Sequence, residues 1–377
     1  MARPAFTTDQ RRLARLRLAA QLLGAQRAAS PVEAVRWMLA LQAQDLAGVK
    51  WSVGLRATGA TQSDVEAALD AGEIVRSWPM RGTLHLVAAE DLPWMLELTT
   101  SRAIASAARR RTALGITDPE IERAREIAIG ALSGARSLGR SALLGTITAG
   151  GVSTAGQRGY HLLWYLAQTG TLVMGGDDGR GQTFALLDEW VSEPLRLEPD
   201  EALGELARRY FASHGPATVA DLVRWSGLTV RHVRRGLEVA GAALVRIEVE
   251  GVAYHLAPET LSAPLPAPGV LLLPGFDEYV LGYRDRSAAL ASEHADVVVP
   301  GGNGMFKATI VVDGEVVGTW SRRATSRDVV VEPAPFDQLS AADSDGLGVA
   351  AEHYGRFLGR RVRVTPPFGF PTKAASH

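Results

Sequence analysis

Two glutamines one residue apart, Gln42 and Gln44 in the run Leu41-Gln42-Ala43-Gln44-Asp45, are the side chains whose spacing most suggests chemistry. They follow apolar residues of helical period, Val35, Met38, Leu39 and Leu41, which places them at a helix exit. Two amides so placed can converge on one small polar object, such as a water molecule. A glutamine offers donors and an acceptor but no basicity at neutral pH, so the pair orients a water and does not deprotonate it. Such a site suits a substrate whose bond is already weak. By spacing alone, a helix C-cap or a solvated turn is the plainer account.

The elements that must position the pair follow from periodicity and punctuation. A helix is expected from Asp9 to Leu23, and Ser30-Pro31 reads as N-cap and first position of the helix that delivers the glutamines. Thr61-Gln62-Ser63-Asp64 opens another with a capping box. Two strand-like runs, Ile74–Trp78 and Thr83–Val87, flank the hairpin-sized link Pro79-Met80-Arg81-Gly82. The same order returns twice: helices over Glu120–Leu132 and Arg140–Ala149, a third capped at Thr154-Ala155-Gly156-Gln157, then strands Thr171–Met174 and Thr183–Leu187. Next come Glu201–Ser213, a box at Thr218–Asp221, a helix capped by Thr229, and strands Leu244–Val249 and Val252–Leu256. Helices followed by a hairpin are the order of a winged helix. Pro264, Pro266, Pro268 and Gly269 form a linker, after which strands dominate, with Asp313-Gly314 as a hairpin signal and one helix near Ala350–Leu358. The expectation is an α+β chain of three tandem winged-helix modules, 1–115, 116–195 and 196–260, followed by a small antiparallel β-barrel over 261–377.

Composition narrows the classes. A chain of 377 residues with 46% hydrophobic and 21% charged residues has material for several cores, at a prior of ~150 residues per domain. Met1–Phe6 has no signal-peptide stretch, and no run of ~18 apolar residues occurs, so a cytoplasmic location is expected by default; no dimerisation element is evident, and a monomer is expected. Cysteine is absent, which excludes disulfides and thiolate chemistry and removes the usual ligands of a structural zinc; no metal or cofactor is expected. A net charge of −1 counts mildly against nucleic acid, but local charge decides, and arginine carries nearly all the positive charge.

The ordered set Leu41–Asp45, Arg81-Gly82-Thr83-Leu84-His85-Leu86-Val87, Phe276-Asp277-Glu278-Tyr279, Gly282-Tyr283-Arg284-Asp285-Arg286 and Val317-Gly318-Thr319-Trp320 resembles the AlkZ/YcaQ-type DNA glycosylases over nearly the whole chain. No single motif is decisive; the order is specific. The resemblance implies tandem winged helices ending in a β-barrel. It also implies excision of alkylated purines, particularly N7-alkylguanine, from double-stranded DNA, with some members unhooking interstrand crosslinks. Gln42-Ala43-Gln44 matches the Gln-x-Gln form of the catalytic motif, and Asp45 sits one place too late for the Gln-x-Asp form.

N7 alkylation makes guanine cationic, so the base leaves as a neutral species and needs no acid. A placed water and a favourable field suffice, and a monofunctional reaction is expected. Arg81, His85, Arg109, Arg110, Arg231, Arg234 and Arg235 are the candidate DNA contacts. Each has a plain alternative: a solvated wing for Arg81, a satisfied structural histidine for His85, a charged helix end for Arg109 and Arg110, and a solvated face for the last three. Trp51 and Trp78 read as core. Asp277, Glu278, Tyr279, Arg284 and Asp285 read as an ion-pair network fixing the barrel to the helices. The rival functions are a non-catalytic winged-helix regulator and a protein that sequesters a DNA-reactive small molecule.

Overall fold

The computed structural model describes residues 7–265 and 269–365. Residues 1–6 and two of the linker prolines, Pro266 and Pro268, lie outside that range. Thr7 caps α1 (Thr8–Ala20), and Ser30 caps α2 (Pro31–Met38) with Pro31 in its first turn. A two-residue strand, β1 (Leu41–Gln42), precedes α3 (Leu46–Arg56), and Thr61 and Asp64 close a reciprocal box on α4 (Gln62–Asp70). The first hairpin is β2 (Ile74–Met80) and β3 (Thr83–Ala88).

The chain continues through α5 (Leu92–Ser106), α6 (Ala108–Ala113), α7 (Asp118–Leu132), β4 (Leu138–Gly139), α8 (Arg140–Ala149) and α9 (Arg158–Gln168). The second hairpin, β5 (Leu172–Asp177) and β6 (Gln182–Leu186), runs into the short α10 (Leu187–Trp190). Gln157, not Thr154, occupies the N-cap of α9. The third run holds α11 (Pro199–His214), α12 (Val219–Ser226), α13 (Val230–Ala240), β7 (Val245–Val249), β8 (Val252–Leu256) and α14 (Pro258–Ser262). Thr218 and Thr229 cap α12 and α13, as their sequences require.

Two departures matter for the site. The first two hairpins, expected in separate modules, are joined in one six-stranded sheet of order β1-β3-β2-β5-β6-β4, with Arg76 opposite Met174 at the seam. Helices α3 and α5 were not anticipated. α3, Leu-Ala-Gly-Val-Lys-Trp-Ser-Val-Gly-Leu-Arg, is buried nearly all round and so shows no amphipathic stripe.

The last part holds β9 (Val270–Leu273), α15 (Glu278–Leu281), α16 (Ala295–Val298), β10 (Thr309–Val312), β11 (Glu315–Ala324), β12 (Asp328–Pro335), α17 (Ala341–Leu358) and β13 (Arg361–Val364). Asp313 and Gly314 both have positive φ, 52° and 90°, as the hairpin signal demands. The strands form a curled sheet of order β13-β12-β11-β10-β9. It is not the antiparallel barrel expected: β13 pairs parallel to β12, and β9 and β13 are its two edges. The helix α17 carries the chain back across the sheet, so the next strand returns in the same direction. The architecture is α+β with a half-barrel at its end.

Trp51 of α3 ties the glutamine-bearing region to this sheet. Its indole donates to the Leu272 carbonyl at 2.7 Å, and its ring meets His353, Tyr354 and Phe357 of α17 at 5.0, 5.0 and 5.1 Å. Beside it lies a buried ion pair. Arg56 donates Nη1 to Asp277 Oδ2 and Nη2 to Asp277 Oδ1, both at 2.9 Å, and Ser52 Oγ donates to the same carboxylate at 2.6 Å. Burial alone would raise the Asp277 carboxyl; the Arg56 charge, its hydrogen bonds, Ser52 and the Tyr279 N–H reverse this and hold it below its ordinary value. Among the described residues no helix is long and apolar enough to cross a membrane.

Arg56→Leu strands a buried carboxylate and should cost about 3–5 kcal/mol in urea unfolding. The folded-state depression of Asp277 means its contribution is present above the unfolded pKa of about 3.9 and is lost as pH falls through the folded value. Acid unfolding of the variant should therefore be less steep. A loss below about 1 kcal/mol would exclude this pair as a structural anchor.

Candidate active site

Gln42 and Gln44 do not leave a helix. α2 stops at Met38, and Leu39, fully buried, takes φ 66° and ψ −50°. The Ala40 N–H donates to the Met38 carbonyl at 2.8 Å, which makes Leu39 the centre of a γ-turn of the rarer hand. The chain emerges as β1, with Gln42 opposite His85 on β3. The strand ends at Gln42 and Gln44 stands in the bend beyond it, so the two amides leave an extended segment and its end, not a helix exit. Apolar residues continuing through the turn concealed the change of period.

The segment is held at every position. The Gln42 N–H donates to Glu278 Oε1 at 3.0 Å. The Ala43 N–H donates to the Leu84 carbonyl at 2.7 Å. Arg76 sets Nε and Nη2 on the Ala43 carbonyl at 3.0 and 2.6 Å and Nη1 on Gln182 Oε1 at 2.6 Å. Burial, opposed by Asp45, brings the Arg76 guanidinium down to about 10. The Gln44 amide in its satisfied orientation exchanges two bonds with Leu84, donating to its carbonyl and accepting from its N–H, both at 3.2 Å. Gln44 is exposed, whereas Gln42 is only 7% exposed. Asp45 is engaged with Arg322 at 3.1 Å.

Arg81 is not a solvated wing. It occupies the two-residue turn with Gly82, at φ 55° and 68°, and folds back over the sheet. Its Nη2 donates to Gln42 Oε1 at 3.2 Å and lies 3.1 Å from His85 Nε2. His85, expected at the DNA, is fully buried beneath. Its Nδ1 lies 2.9 Å from the Thr83 carbonyl and so carries the proton, leaving Nε2 to accept from Arg81. Burial first, then the Arg81 charge, push this imidazole well below its ordinary pKa, against the Thr83 bond. It is neutral at physiological pH.

Glu278, read in the sequence only as part of a barrel network, belongs to this site. Its carboxylate is fully buried, with Oε1 on the Gln42 N–H and Oε2 accepting from Trp225 Nε1 at 2.9 Å. His214 Nε2 is 3.6 Å away. The Asp-Glu pair was visible as a charged motif, but its contact with Gln42 spans 236 residues and no periodicity reports it. Asp277 does what the network reading expected.

The other expected DNA contacts lie apart from this cluster. Arg109 and Arg110 are exposed on α6, and Arg110 donates to Gln157. Arg231 and Arg234 are exposed on α13; Arg235 is paired with Asp200 at 2.5 Å and Glu238 at 3.3 Å. Trp51 and Trp78 are core residues. A cleft of about 400 Å³, lined by Arg81, Gly82, Thr99, Arg102, Trp164 and Gly227, opens beside Arg81. A larger one of about 700 Å³, between α5 and the segment after α10, is lined by none of the motif residues, so size does not mark the site.

The mixed α+β scaffold ending in a curled sheet is that of a solved DNA glycosylase. The chain superposes on the solved structure of the Streptomyces sahachiroi DNA glycosylase AlkZ with a TM-score of 0.78 and 27% identity, covering 94% of this chain and 99% of that one. It is also 28% identical over 354 residues to a Streptomyces sahachiroi protein described as an interstrand DNA cross-link repair glycosylase, covering 89% of this chain and 94% of the relative. The model of the family described as DNA glycosylase AlkZ-like matches residues 35–357, and the chain belongs to that family of enzymes.

The His85 ring should show no protonation step by NMR between about pH 8 and 6, although a free histidine titrates near 6.5. Because only the unfolded chain takes that proton, the stability His85 contributes is present above about pH 6.5 and erodes below it. A step near 6.5 in the folded protein would contradict the neutral, Arg81-capped ring.

Proposed function

We propose that the protein is a monofunctional glycosylase that hydrolyses the N-glycosidic bond of N7-alkylated purines in double-stranded DNA, interstrand crosslinks included. The observation that carries this reading is the glutamine pair on a pinned segment, with Gln42 buried at the end of β1 and Gln44 exposed in the bend beyond it. Gln42 Oε1 accepts from Arg81 and keeps a second lone pair for a water hydrogen. Gln44 Oε1 has the same spare capacity beside its bond from Leu84.

The water oxygen bonds to C1′ as the C1′–N9 bond breaks. The electron pair of that bond flows into the cationic purine, cancels its charge and releases it neutral. The proton lost from the attached water passes to solvent. No acid protonates the base, and among the described residues no lysine adjoins the pair to form an imine, so the abasic strand stays intact. An undamaged purine lacks the built-in charge and is left alone. The curated relative's description, cross-link repair, supports extending the substrate to crosslinked duplexes.

In this reading three winged-helix units, over 1–115, 116–195 and 196–260, carry a monomer along the duplex. The exposed Arg109, Arg110, Arg231 and Arg234 contact phosphate, and Arg235 adds less because its acidic partners already hold it. Each phosphate contact adds roughly one unit to the slope of log affinity against log salt.

The test is base release from duplexes holding one N7-methylguanine, one N7-linked crosslink, or neither. Gln42→Ala and Gln44→Ala should each lower the single-turnover rate about 10²–10³-fold with duplex affinity retained. Wild-type rates in both variants would remove the assigned roles, and no release by the wild type would remove the reading.

A further inference from the structure

The arrangement around Gln42 poses an electrostatic problem. A glycosylase step of the kind proposed above develops positive charge on the sugar, yet the group bonded to the Gln42 amide oxygen is the Arg81 guanidinium. His85, the other partner of Arg81, is neutral and offers no compensation. An unbalanced cation beside the reacting sugar would oppose the reaction it adjoins.

Glu278 supplies the balance. It is fully buried at the outer edge of β1, bonded to the backbone N–H of the residue whose side chain Arg81 touches. Its charge is the largest influence countering the effect of burial on Arg81, ahead of the repulsion from Arg224. The carboxylate is anchored at both oxygens, by Gln42 N–H and by the Trp225 indole, so it cannot swing out to solvent. A structural anchor for the Gln42 N–H could be any acceptor. Burying a charge for the purpose is costly unless the charge is used.

We propose that Glu278 is a positioning residue that also acts through its charge. It fixes the Gln42 backbone and offsets the Arg81 charge, so that the glutamine pair meets the developing cation with that repulsion reduced. This rests on the function proposed above.

The test is single-turnover release of N7-methylguanine by wild type, E278Q, E278D, R81Q and the E278Q/R81Q double variant, with duplex affinity and thermal melting measured alongside. E278Q keeps an acceptor for the Gln42 N–H and removes the charge, at the cost of the acceptor for the Trp225 N–H. It should react about 10–100-fold more slowly, with duplex affinity unchanged or tighter. E278D, which keeps the charge at shorter reach, should retain more activity than E278Q. The penalty of E278Q should shrink to a few-fold or less in the R81Q background. A purely structural role reverses the order of E278Q and E278D and gives the same penalty in both Arg81 backgrounds; either result overturns the proposal. In E278Q the new amide NH₂ faces the Trp225 N–H, donor against donor. If that variant fails to melt cooperatively, E278Q/W225F is compared with W225F instead, and an equal rate in that pair overturns the proposal. Base release by the wild type with no effect of E278Q refutes this inference alone; no base release by the wild type refutes it together with the proposed function.

Discussion

Two adjacent carboxylates, Asp277 and Glu278, hold this molecule's distant parts in one place. Asp277 takes the Arg56 fork and Ser52 from α3, and through Arg56 it reaches Gln21, which bonds Tyr283. Glu278 takes Gln42 from β1 and Trp225 from α12. Buried charges tolerate no vacancy among their partners, so the relative placement of these segments is specified far more sharply than apolar packing alone would specify it. The glutamine pair inherits that definition.

Leu39 is the local counterpart of that long-range anchor. A leucine at φ 66° sits in a strained region, and the surrounding core, in which it is fully buried, keeps it there. The turn converts a helix into an extended segment within two residues. That conversion sets Gln42 in the ladder with β3, and the Gln44 amide then bonds the Leu84 backbone of the same strand.

Much of this was legible in the sequence because it is local. Caps at Ser30, Thr61, Thr218 and Thr229, the Asp313-Gly314 turn, and strands such as Val252–Leu256 are written in short spacings that the fold honours. The glutamine motif was legible as a residue pattern. What escaped was tertiary. Leu39 and Leu41 continue a helical period across a turn that only the core enforces. His85 looked like a strand residue free to face a ligand, and Arg81 like a wing tip, because residue type and spacing do not show that the turn folds the Arg81 side chain back onto His85 and Gln42. The parallel pairing of β13 had a signal, strand then long helix then strand, but the helix begins at Ala341, earlier than its apolar face suggests. The seam at Arg76 and Met174 rests on one pair of opposed residues and leaves no pattern to read.

That seam gives Arg76 an unusual station. One planar guanidinium grips the carbonyl between the two glutamines and, with its remaining nitrogen, a side chain on the second hairpin. The hairpins therefore cannot shear past one another without either breaking one of those bonds or dragging residue 43 along. A distortion imposed on the outer strands, by whatever lies against them, has a rigid lever through which to reach the centre.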